Sequence, residues 1–158
     1  MPWRGCYTLV ISSRKKQWIK VGSLGTALFP AGTYLYTGSA MSGLRARLSR
    51  HLRKKNKKSH WHIDYLLKRP EAQIRQILIY PLAADQECRQ NRRISALPGS
   101  KVVLKGFGSS DCRMSCGSHL FYLSKTPKIK RPAVRDLTRT ARRTVADGES
   151  LRRAVWRR

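Results

Sequence analysis

The sequence predicts a small, strongly basic α/β domain of the α+β kind, and three observations predict it. Short runs of β-forming residues separated by turn residues fill the first 40 positions. A leucine stripe at helical spacing follows, at Leu44, Leu48 and Leu52. Hydrophobic residues make up 41% of the 158 residues, enough for one domain with a real core.

Residues 5–11 read as a strand, Arg14-Lys15-Lys16 as a basic turn and residues 18–21 as a second strand. Turn chemistry at Gly22-Ser23-Leu24-Gly25 precedes Pro30-Ala31-Gly32, which sets up a third strand over 33–37. These three strands predict an antiparallel meander. The leucine stripe predicts a helix over 44–53, with Arg45, Arg47, Arg50 and Arg53 on its other faces and Ser42 as its N-cap. A basic loop (Lys54-Lys55-Asn56-Lys57-Lys58) leads to a second helix. That helix starts near Ser59 or His60, turns Ile63, Leu66 and Leu67 inward and stops before Pro70. Beyond it come a strand over 74–80, a short helix over 85–94, a turn at Pro98-Gly99, an edge strand over 102–104 and a last strand over 120–123. Past Ser124 the composition shifts to lysine, proline and then arginine. Residues 1–124 are therefore expected to form the domain, and 125–158 a basic, partly helical tail with a breaker at Gly148.

The 34 Lys and Arg against 8 Asp and Glu leave a formal net charge of +26. That excess favours a polyanionic partner, nucleic acid first and DNA ahead of RNA. No run approaches the roughly 18 apolar residues of a membrane span. No apolar signal region follows Met1-Pro2-Trp3-Arg4, so a cytoplasmic protein is expected, with its four cysteines reduced or metal-bound.

The chemistry concentrates in Tyr36-Thr37-Gly38-Ser39-Ala40, followed by Gly43-Leu44-Arg45-Ala46-Arg47-Leu48 and His51. A strand ending in a glycine turn and entering a basic helix presents a phenol, a guanidinium and an imidazole on one surface. Phosphodiester chemistry uses such a set: proton carriers and a fixed cation for developing charge. Taken alone, each of these residues has a plainer reading: a packed strand tyrosine, a solvated arginine, a surface histidine.

In order and type, these residues resemble the GIY-YIG nuclease superfamily. Gly5-Cys6-Tyr7 matches its first triplet and Tyr36-Thr37-Gly38 its second, with Arg47 at the helix arginine and His51 one turn on. An alternative first triplet, Gly32-Thr33-Tyr34, leaves no room for a hairpin before Tyr36. The later segments His60-Trp61-His62-Ile63-Asp64-Tyr65-Leu66-Leu67, Glu87-Cys88, Gly106-Phe107-Gly108-Ser109-Ser110-Asp111-Cys112 and Ser118-His119-Leu120-Phe121-Tyr122 resemble one poorly characterised archaeal and bacterial branch, a domain of unknown function related to those endonucleases. The resemblance implies a central three-stranded antiparallel sheet flanked by helices. It also implies one-metal phosphodiester hydrolysis. Glu87 would hold Mg²⁺ or Mn²⁺, with Glu71 and Asp85 the nearest acidic alternatives. Tyr7 or Tyr36 would take the water's proton, Arg47 would brace the phosphate and His51 would carry a proton or bind phosphate. Two departures stand out: a long spacer between the triplets, and Ser39 where the family often has a lysine.

Contacts to the nucleic-acid backbone are expected from Arg45, Arg50 and Arg53, and from Lys54, Lys55, Lys57 and Lys58. His60 and His62, two apart on a helix, point to different faces and do not chelate together; Asp64 reads as a cap or support residue. Cys88, Cys112, Cys116 and His119 have the ligand count of a structural zinc, with small core thiols as the plainer reading. The glycine-rich loop at 106–110 lacks the lysine and following helix of a P-loop. Trp156 in the tail has two readings, stacking on a base or docking on the domain. Two functions follow as expectations: a metal-dependent endonuclease on DNA, or a catalytically inactive nucleic-acid-binding module with the same fold. A zinc-stabilised adaptor reaching RNA through its tail is a third.

Overall fold

The structure is a computed structural model and describes residues 4–80 and 86–128. Its strands are β1 (Gly5–Ser13), β2 (Gln17–Lys20), β3 (Thr26–Phe29), β4 (Gly32–Ala40), β5 (Ala72–Tyr80), β6 (Lys101–Val102) and β7 (Leu120–Leu123). The helices are α1 (Leu44–Leu52), α2 (His62–Leu67) and α3 (Gln86–Ser95). Asp85 and most of the expected tail, Trp156 included, lie outside the described residues.

The expected three-stranded sheet is corrected to a five-stranded antiparallel one in the order β5-β1-β4-β7-β6. The expected meander also gives way. β1 pairs directly with β4, and β2 with β3 makes a separate two-stranded hairpin inserted between them. The four residues of β3 carried no clear β signal, and the hairpin is held by burial of Ile19 and Phe29 rather than by local propensity.

Strand β1 is central, with neighbours on both edges, so it is buried almost throughout rather than alternating. Its two faces still feed different layers. Leu9 and Ile11 join the main core with Tyr34, Tyr36, Leu44, Leu48, Ile63 and Leu66 beneath α1 and α2. Val10 faces a smaller cluster with Leu35, Phe121, Leu123 and Ile94 of α3. The period-2 pleat thus sends α1 and α2 to one face and α3 to the other. Among the described residues no helix is long and apolar enough to cross a membrane.

The expected helices appear close to their predicted bounds. The N-cap of α1 is Gly43 rather than Ser42: its φ of 68° is left-handed, a conformation glycine adopts without Cβ strain. Past Leu123 the chain stays on the domain for a few residues, where the hydroxyls of Thr126 and Thr33 are 2.8 Å apart.

Candidate functional site

The β1–β4 register sets the site. It pairs Leu9 with Tyr36 and Tyr7 with Gly38, bringing the two sequence triplets side by side. The Tyr7 ring lies over Gly38, where an added Cβ would stand 2.6 Å from the phenol oxygen and 2.7 Å from Cζ. Gly38 therefore makes room for the phenol. Helix α1 leaves the end of β4 through the Gly43 turn and turns His51 inward to a fully packed position.

There the Tyr7 hydroxyl is 2.6 Å from His51 Nε2. Burial is the main cause that raises the Tyr7 pKa, so the phenol is neutral and donates to the ring. Burial, followed by the nearby Lys57 charge, lowers His51 to about 3, so its imidazole is neutral and accepts. The nearby Arg47 charge draws the Tyr7 pKa back toward the ordinary value without overcoming burial. Tyr36 is likewise raised by burial, then by Tyr7 and Glu87.

Beside this pair opens a cleft of about 550 Å³ lined by Tyr36, Gly38, Ser39, Arg47, His62 and Glu87, among others. Arg47 is held at its rim in two ways. One guanidinium nitrogen donates to the Ser39 carbonyl at 3.2 Å, and the guanidinium lies 4.3 Å from the centroid of Trp61. Glu87, in the first turn of α3, accepts a hydrogen bond from the Ser39 hydroxyl through Oε2. Its Oε1 is 2.9 Å from His119 Nδ1. Each carboxylate oxygen retains a lone pair, and Asp111 lines the same cleft, so the donors suit a hard cation that keeps most of its waters.

The five expected catalytic residues therefore separate into two tiers. Tyr36, Arg47 and Glu87 reach the cleft, whereas Tyr7 and His51 sit behind its wall. Of the acidic alternatives, Glu71 is half-buried beside the β5 start, where its carbonyl accepts from the Arg14 amide at 3.2 Å, and it does not line the cleft.

Three of the seven expected backbone-contact residues have partners inside the domain. Arg50 pairs with Asp64 at 2.6 Å, and Lys57 is buried with Nζ 3.6 Å from the same carboxylate. Lys54 donates to the carbonyls of Leu67, Arg69 and Ala72. Arg53, Lys55 and Lys58 are exposed, and Arg45 is partly so.

Asp64 is the buried anion that organises this basic corner. Its Oδ2 accepts the backbone N–H groups of His60 and Trp61, both at 2.9 Å, capping α2. Burial by itself would raise its pKa, but those amides, then Lys57 and Arg50, outweigh burial and hold it below the usual carboxylate value. His62 accepts from the Gly108 amide at 3.0 Å, tying the glycine-rich loop to α2.

Two contributors had little sequence signal. Trp61 carries both Arg47 and Arg50 over its ring, and Ser39, legible only as a missing lysine, bonds Glu87 and holds Arg47. Next to Glu87, four ligand atoms from Cys88, Cys112, Cys116 and His119 all lie within 4.8 Å of one another.

Fold and cleft together define a mixed α/β domain with an Arg–Glu cleft backed by a buried Tyr–His pair. The chain belongs to the family described as domain of unknown function DUF123, whose model matches residues 6–142. That match runs past Ser124 into the basic extension. No curated protein and no solved structure gives a significant match.

Proposed function

We propose that this protein is a metal-dependent endonuclease of the GIY-YIG type that hydrolyses phosphodiester bonds in DNA. The observation that carries this reading is the meeting of Arg47, Glu87 and Tyr36 in one cleft with the Tyr7–His51 pair behind it. The net charge of +26 supplies the affinity for a polyanion.

A Mg²⁺ or Mn²⁺ ion held by Glu87 would polarise a phosphoryl oxygen and acidify a water. The chain's own residues do the rest. Arg47, fixed by Trp61 and the Ser39 carbonyl, offers its free guanidinium edge to the phosphate. Tyr36, the phenol that lines the cleft, would relay the water's proton without lingering as a phenolate, which burial would oppose. The buried Tyr7–His51 pair braces that wall from behind. Ser39 and His119 orient the Glu87 carboxylate.

The test is cleavage of labelled single-stranded, duplex and branched DNA with Mg²⁺ or Mn²⁺. Glu87→Ala and Arg47→Ala are each expected to lower the rate by about 100-fold or more, with Glu87→Ala still binding DNA. Equal loss of binding and cutting in Glu87→Ala would overturn the metal role.

The second reading is a binding module with the same fold and no cutting. It is favoured by the engagement of both Glu87 oxygens and by Ser39 in the lysine's place. On that reading the parent binds without cutting, and removing residues 127–158 flattens the salt dependence of binding.

A further inference from the structure

We propose that Cys88, Cys112, Cys116 and His119 form a zinc(II) site that clips the irregular 103–119 segment and β7 to helix α3. The proposal is independent of the nuclease reading.

The thiols are free, and they converge from distant parts of the sequence. Cys88 Sγ lies 3.5 Å from Cys112 Sγ. That is far beyond the roughly 2.05 Å of a disulfide. It is close to the edge of about 3.8 Å that sulfurs at 2.3 Å make around a tetrahedral zinc. All four ligand atoms fall within 4.8 Å of one another.

A second observation points to a ligand independently. His119 is only 2% exposed; its Nδ1 is met by Glu87, but its Nε2 has no hydrogen-bond partner within the described residues. A buried imidazole in that state is costly unless something else meets it. Nδ1 lies 2.9 Å from Glu87 Oε1, which leaves Nε2 for the metal. A carboxylate on the far nitrogen of a ligating histidine fixes its tautomer and strengthens it as a donor, and Glu87 stands where such a partner belongs.

A metal would add to the ties this segment already has, such as the Asn91 side chain of α3 donating to the Ser118 carbonyl at 2.8 Å. From 103 to 119 the chain has no helix or strand. Phe107 anchors its first part in the core, but Asp111, Arg113, Met114 and Ser115 are exposed. Ser115 adopts a left-handed φ of 55°, folding the chain back so that Cys116 rejoins Cys112. Long irregular segments in small domains are commonly held by such cross-links. Three thiolates and one imidazole are soft and borderline donors of the structural zinc type, with no position left open for water. On binding, the thiol protons pass to solvent.

The test is the metal content of the full chain, purified reduced and without chelator. About one zinc per chain is expected by mass spectrometry of the metal. Cobalt(II) replacement should give the visible bands and thiolate charge transfer of a tetrahedral S₃N centre. Cys112→Ser with Cys116→Ser should lose the metal and lower the melting temperature. Less than about a tenth of a zinc per chain after incubation with zinc salt would overturn the proposal. So would a Cys88–Cys112 disulfide in the isolated protein, iron with sulfide in place of zinc, or full zinc retained by the double variant. Should that variant fail to fold, the cobalt spectrum of the parent decides, since octahedral O/N coordination would exclude the site. Glu87→Gln should weaken zinc binding by about 10-fold or more while leaving the S₃N spectrum intact.

Discussion

The Tyr7 hydroxyl and His51 Nε2 are 2.6 Å apart inside the core, joining residues 44 positions distant in the chain. The pair is dry: Tyr7 is 1% and His51 2% exposed. Tyr7→Phe keeps the ring and removes only the bond. It is expected to cost about 1 kcal/mol of stability, because His51 loses its partner. If the pair also positions Tyr36 at the cleft wall, cleavage falls with binding unchanged. A loss of stability with no loss of cleavage would make the pair purely structural.

His51 also sets a pH window. Its folded value of about 3 lies below the ordinary 6.5, through burial first and the charges of Lys57, Arg47 and Arg50 next, with Asp64 opposing. Above pH 6.5 the imidazole is neutral in both states. Below it the unfolded chain takes up a proton that the folded one refuses. Stability is therefore lost as pH falls from about 6.5 toward 3, by roughly 1.4 kcal/mol per pH unit from this group. Urea unfolding of the parent and of His51→Asn at pH 7 and pH 5 checks it. The difference between the two proteins should shrink on acidification, and any metal bound by both cancels.

Asp64→Asn leaves Arg50 and Lys57 without their anion in a buried corner and replaces an acceptor of two backbone amides. A cost of about 3–5 kcal/mol is expected at neutral pH. The folded pKa of Asp64 is depressed, so its contribution is present above the unfolded value and fades as pH falls through the folded one. The parent and Asp64→Asn should thus converge in stability in strong acid, as read by chemical denaturation.

Gly38→Ala would place a methyl 2.6 Å from the Tyr7 oxygen and 2.7 Å from its Cζ, so the phenol must leave His51. Overpacking of this kind costs about 1–3 kcal/mol. Tyr7→Phe in the same chain should recover little, because Cζ still collides. A smaller Tyr7→Leu should recover more. Denaturation midpoints of the three proteins measure the coupling.

Much of the fold was legible because its signals are local. The last strand was read at 120–123, as found, and the leucine stripe placed α1 within a residue of its end. β3 carried too little β propensity to be seen, and the five-strand order depends on which edges β5 and β7 find. Of the basic residues read as backbone contacts, Arg50, Lys54 and Lys57 turned out to have internal partners. Charge alone cannot tell a solvated lysine from a buried one.

By itself the sequence determined the composition of the candidate site. Periodicity assigned faces to α1 and α2, and the net charge of +26 set the expectation of a polyanionic partner. Only the tertiary structure decided who meets whom. The Tyr7–His51 bond, the bonds from Ser39 and His119 to Glu87, and the gathering of Cys88 with Cys112 and Cys116 each close a long loop. Loop-closure cost varies only slowly with length, so sequence distance does not select among such closures. Packing does: the β1–β4 register and the burial of α1 and α3 on opposite faces of the sheet bring these groups to one end of it.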